Sequence, residues 1–147
     1  MTTQQITDSA VRGAHEVRVV VGRMRRRLRE LADPQDLTPS QTSVLSRLDK
    51  QGPASASDLA VAEQVRPQSM AATVAALVER GLVERRPDPR DGRRQLLVLT
   101  AQAHDLIAGN RQAREEWLAR MLQERCTEDE RRTILDAMRL LDGLVQA

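Results

Sequence analysis

The chain has 147 residues and a formal charge of +2, enough length for one ordinary domain and too little net charge to demand a nucleic-acid partner by itself. It holds no Tyr or Phe and a single Trp, which excludes a surface built on aromatic stacking of the kind single-stranded nucleic-acid binders use. No apolar run nears the ~18 residues of a membrane span, the first residues lack the basic-then-apolar pattern of a leader, and one cysteine cannot make an intrachain disulfide; the chain reads as cytoplasmic with no membrane partner.

Residues 10–31 place Val17, Val20, Val21, Met24, Leu28 and Leu31 at three- and four-residue spacing, which predicts an amphipathic helix with RMRRRLRE on its outer faces. The stretch DPQD (33–36) should end it, because Pro34 cannot continue the ladder. A second helix is expected from TPSQ: Thr38 caps, Pro39 sits in the first turn and Gln41 completes a capping box. Val44, Leu45 and Leu48 give it a buried side, and QGP (51–53) stops it. SASD (55–58) reads as another capping box, opening a short helix that runs to about Gln64.

VRPQSM opens a fourth helix, with Met70, Val74, Leu77 and Val78 on one face and Gly81 as its left-handed cap. Residues 82–86 and 95–100 then read as two strands, and Asp91-Gly92 between them is a tight-turn signal. Two more helices follow. One runs from Ala101 to about Arg125 with Leu106, Ile107, Trp117, Leu118, Met121 and Leu122 apolar; the other starts at the capping box TEDE (127–130) and carries Ile134, Leu135, Met138, Leu141 and Val145. The expected fold is therefore mainly α with a small β-hairpin: a winged helix-turn-helix core flanked by N- and C-terminal dimerisation helices. The division is 1–37, 38–100 and 101–147, integrated in one domain, and the turn between the third and fourth helices centres on Val65 and Arg66.

Within this plan, Leu59-Ala60 and then SMAATVAALVERGLVERRPDPRDGRRQLLVLT (69–100) resemble the MarR family, the multiple antibiotic resistance regulators. The likeness lies in a Ser- and Thr-bearing helix entering a GLV strand, an Asp-x-Arg-Asp-x-Arg wing at Asp88, Arg90, Asp91 and Arg93, and a Leu99-Thr100 close. The resemblance spans about residues 10 to 145. It implies a homodimer, usually a repressor, on a pseudo-palindromic operator in double-stranded DNA, released by a small aromatic or lipophilic effector or an oxidant. The chain also departs from the family. Alanines at 71, 72, 75 and 76 stand where members often carry an arginine midway along the recognition helix, and the cysteine and tyrosines of the peroxide-sensing branch are missing.

On the fourth helix the side away from the core offers Gln68 and Ser69, with Ala72 alongside and Arg66 and Thr73 at the flanks. A glutamine can read adenine, and an alanine or threonine methyl can touch the thymine methyl. Residues 80–94 hold six arginines against three acids. Arg90 and Arg93 are placed for a minor groove, Arg86 and Arg94 for phosphate, and Asp88 and Asp91 for holding a neighbouring guanidinium in one orientation. Without a DNA partner the same hairpin would be a self-neutralised surface turn. Ser55 and Ser57 are caps first and phosphate contacts second.

Arg23 to Arg29 go round their helix rather than along one stripe, which reads as a solvated face. Cys126, beside Arg125 and a helix N-terminus, reads as a buried or idle thiol in preference to a redox sensor, since the acids of TEDE oppose a lowered thiol pKa. Trp117 reads as core, although the resemblance places it beside the family's effector cavity. His15 and His104 have no second ligand at metal spacing, so neither a metal nor a cofactor is expected. No nucleophile elbow, phosphate loop or acid–base pair is present, which disfavours an enzyme. The competing reading is a helical dimerisation or adaptor protein whose hairpin binds no DNA.

Overall fold

A computed structural model describes residues 5–31 and 37–146. Its elements run α1 (Asp8–Glu30), α2 (Pro39–Gln51), α3 (Ala56–Ala62), α4 (Pro67–Glu79), β1 (Val83–Pro87), β2 (Gln95–Leu99), α5 (Ala101–Arg125) and α6 (Glu128–Val145). The architecture is the expected one, mostly helical with one antiparallel hairpin. The contacts separate into two compact units. One contains α2 through β2 and α5 as far as Asn110; the other contains α1, α5 from Arg111 and α6. The expected stop at Pro34 lies outside the described residues.

The first unit is built around one apolar core. Val44, Leu45 and Leu48 of α2, Leu59 and Ala60 of α3, and Met70, Val74 and Leu77 of α4 meet Leu82, Val83, Leu97, Leu99 and Ala103, all nearly inaccessible. Both partners of the α2 capping box are made: Gln41 N–H donates to Thr38 Oγ1 at 3.2 Å and Thr38 N–H to Gln41 Oε1 at 3.0 Å. Gly52 ends α2 at φ 83°, ψ −169°, a conformation that only glycine adopts at no steric cost. The chain then turns into the sheet, where Leu97 N–H donates to Ala54 O at 2.8 Å, so a third segment adds a bridge to β2. The sequence gives no strand pattern for that segment.

Helix α3 ends at Ala62, earlier than expected, because Gln64 takes the left-handed conformation at φ 56°. Val65 N–H reaches Ala60 O at 3.0 Å and Gln64 N–H reaches Val61 O at 3.1 Å, the paired bonds of a Schellman ending with a glutamine where glycine is usual. Helix α4 ends the same way with the expected residue. Gly81 sits at φ 71°, Leu82 N–H bonds Leu77 O at 3.0 Å and Gly81 N–H bonds Val78 O at 3.0 Å. Thr100 then locks this corner: its hydroxyl donates to Gly81 O at 2.6 Å and accepts from Ala103 N–H at 3.2 Å, while its N–H donates to Leu82 O. One side chain thus caps α5 and fixes the exit of α4.

In the second unit α1 and α6 bury no residue fully. Val17, Val20, Val21 and Met24 of α1 and Leu135, Met138, Leu140 and Leu144 of α6 stay exposed. The TEDE capping box forms, with Glu130 N–H on Thr127 Oγ1 at 3.3 Å and Thr127 N–H on Glu130 Oε2 at 2.7 Å. Arg114 Nε donates to Leu28 O at 3.0 Å at the end of α1, and the Arg27 guanidinium lies 5.5 Å from the Trp117 ring centre. Among the described residues no helix is long and apolar enough to cross a membrane.

Candidate nucleic-acid interface

Helices α3 and α4 are joined by a turn that a polar cluster ties to α2. Glu63 caps α3, and its carboxylate accepts from Ser43 Oγ at 2.6 Å and Arg47 Nε at 2.7 Å, while Arg47 Nη2 donates to Ala62 O at 3.5 Å. The Ser43 hydroxyl, and then Arg47, hold the Glu63 carboxyl below its ordinary value. None of these residues stands out in the sequence, because the partners are about one helix apart in the chain.

On α4, Met70, Val74 and Leu77 face the core, so Gln68, Ser69, Ala71, Ala72, Ala75 and Glu79 are left exposed. Arg66 is the N-cap and makes no side-chain cap, so the first turn keeps N–H groups free of any side-chain partner there. Thr73 is half-buried and its hydroxyl donates to Ser69 O at 3.1 Å, so its proton is spent and its methyl and hydroxyl lone pairs remain for an outside contact. The outward face of α4 is consequently small, uncharged until Glu79, and edged by Arg66.

The wing differs from the expected tight turn. The ladder ends at Pro87 paired with Gln95, leaving seven residues between the strands, and Gly92 does not take a positive φ. Asp91-Gly92 therefore forms no two-residue primed turn. Instead Asp88 N–H donates to Arg94 O at 2.8 Å and Arg94 N–H to Asp91 O at 2.9 Å, closing a broader loop. The two acids act on the backbone: Asp88 Oδ1 accepts from Arg90 N–H at 2.9 Å and Asp91 Oδ1 from Arg93 N–H at 3.1 Å. Asp88 and Asp91 were expected to orient guanidinium groups. They hold the loop main chain instead, since a short carboxylate reaches the amide two residues on more easily than a long arginine's tip.

That arrangement leaves the Arg90 and Arg93 side chains exposed and without an ion pair among the described residues. Arg86 pairs with Glu84 on the exposed side of β1, a solvent-screened contact of low worth. Arg94 pairs with Asp58 and also donates to Ser55 Oγ at 2.9 Å. Ser55 is 5% exposed and its hydroxyl also accepts Asp58 N–H at 3.1 Å, so its capping role is filled and little of it faces solvent; Ser57 is exposed. In SASD only the Ser55 half of the capping box forms, because the Asp58 carboxylate has turned to Arg94. In the other unit Trp117 is half-buried beneath Arg27, and Cys126 is half-buried with its carbonyl accepting from Arg131 Nη1 at 2.6 Å.

Comparison with known proteins gives a consistent picture. A sequence model of the MarR family matches residues 37–94. An uncharacterised HTH-type transcriptional regulator of Mycobacterium bovis is 37% identical over 115 residues, which is 78% of this chain and 80% of that protein. Among solved structures, the transcriptional regulator Tm0710 of Thermotoga maritima superposes with a TM-score of 0.82 at 23% identity, covering 90% of this chain and 93% of that one. A MepR variant of S. aureus bound to an oligodeoxyribonucleotide has the same fold at a TM-score of 0.66 and 20% identity, covering 95% and 99% of the two chains. Taken with the helix-turn-helix of α3 and α4 and the arginine-tipped hairpin that follows, these likenesses establish that the chain belongs to the MarR family of winged helix-turn-helix transcriptional regulators.

Proposed function

We propose that the protein is a homodimeric repressor that binds a pseudo-palindromic operator, with α4 in the major groove and the wing against the adjacent minor groove or phosphates. The observation that carries this reading is the pair Arg90 and Arg93. In a loop where the acids are occupied by backbone amides, their guanidinium groups have no ion-pair partner among the described residues, which suits them to an external polyanion. Gln68 and Ser69, with Ala72 and the Thr73 methyl, would read base edges, and Arg66 would flank them.

Dimerisation is supported by the apolar side chains of α1 and α6 that a single copy leaves in water. A two-fold dimer sets two recognition helices about one DNA turn, roughly 34 Å, apart. A lipophilic or aromatic effector beside Trp117 would release the operator. The test is duplex binding against salt. Neutralising roughly 6–10 phosphates per dimer costs about 10³–10⁵ in affinity between ~50 and ~200 mM salt. Weak binding with a flat salt response would point to a helical adaptor protein instead.

A further inference from the structure

We infer that Arg94 is a positioning residue which anchors the wing to the first turn of α3 through Asp58, and does not itself hold DNA. The inference rests on the DNA-binding reading above. Residue 94 is the hub of the loop: its N–H donates to Asp91 O, and its carbonyl accepts from Asp88 N–H, so both closures of the wing pass through it. Its side chain runs the other way, away from the tip. Nη2 donates to the buried Ser55 hydroxyl and to Asp58 Oδ2, residues 39 and 36 positions earlier in the chain. Ser55 is the N-cap of α3, so a guanidinium fixed there references the wing to the helix-turn-helix. Arg90 and Arg93, at the exposed loop, carry no such tie among the described residues. The pair is partly open to solvent, with 42% of the Arg94 and 58% of the Asp58 side chain exposed, so its contribution is modest per protomer and acts through the geometry of the tip.

The sign of one substitution separates positioning from direct contact. Asp58→Asn removes a negative charge, so on charge alone it should tighten binding to a polyanion. If Asp58 positions Arg94, it weakens binding. The probe is a fluorescent duplex selected by the parent protein from a random-sequence pool, bound by the parent, Asp58→Asn, Arg94→Gln and the double variant. Asp58→Asn should lose roughly 3- to 20-fold for two protomers, and the double variant should bind no worse than Arg94→Gln alone. Equal or tighter binding by Asp58→Asn, or losses that multiply in the double variant, would overturn the inference. Trypsin cleavage after Arg90 and Arg93 gives a readout independent of DNA. It should accelerate in Asp58→Asn at an unchanged melting temperature, and an unchanged cleavage rate counts against the anchor. If the parent selects no duplex, the DNA reading fails while the cleavage experiment still decides the anchor.

Discussion

Substitution of the wing tip offers a prediction whose size follows from the structure. Arg90 and Arg93 make no ion pair among the described residues, and the amides of both residues are held by aspartates that an alanine leaves in place. Removing either side chain should therefore change stability by no more than about 0.5 kcal/mol, which moves the melting temperature by about 2 °C or less in a chain of this length. Binding should respond far more. A phosphate contact contributes about 0.9 to the salt slope, or roughly 0.7 log units of affinity at ~150 mM salt. With two protomers, Arg90→Ala costs about 1.5 log units, some 30-fold, and lowers the slope by about 1.8. The Arg90→Ala/Arg93→Ala double variant loses about twice as much on both measures. Fluorescence anisotropy with a selected duplex between ~50 and ~200 mM salt reads both quantities. A double variant that keeps the parent's affinity and slope refutes the assignment of these guanidinium groups to DNA.

Three further outcomes follow from the scaffold. Glu63→Gln should destabilise the protein by about 1–2 kcal/mol at neutral pH, since it weakens charged hydrogen bonds from Ser43 and Arg47. The Glu63 carboxyl is held below 4.5 when folded, so its contribution is present above that value and fades as pH falls through the lower folded pKa; parent and variant melts should converge on acidification, and a constant gap would contradict the clamp. Gln64→Gly should raise the melting temperature through relief of about 1 kcal/mol of left-handed strain at φ 56°, and a lower melting temperature would mean the glutamine makes up for it elsewhere. Thr100→Val should cost about 1–3 kcal/mol by removing the partner of Gly81 O and of the Ala103 amide in the first turn of α5, read by chemical denaturation, whereas a neutral result would show that water replaces the hydroxyl.

What was legible in the sequence was what is encoded locally. Thr38 with Gln41 and Thr127 with Glu130 sit three residues apart, so both capping boxes could be read directly, and Gly81 marked a helix end that needs positive φ. The core face of α4 followed from its 3.6-residue period. Features that depend on distant partners were not legible. The Ala54 bridge exists only because Leu97 lies opposite it, and the Asp58 carboxylate left its capping box for an arginine 36 residues on. The wing was misjudged for a related reason: Asp91-Gly92 carries the composition of a tight turn, yet the register of Pro87 with Gln95 fixes a longer loop in which the aspartates bind backbone. Gln64 in a glycine conformation carries no sequence signal at all. The bonds made there are those of the helix ending itself, Gln64 N–H to Val61 O and Val65 N–H to Ala60 O.

The most direct test of the central claim is the ratio of affinities for a duplex selected by the protein and a scrambled duplex of equal length, at ~150 mM salt. A sequence-specific operator binder should prefer the selected duplex by about 10³-fold or more. Indistinguishable affinities for the two duplexes would contradict the account.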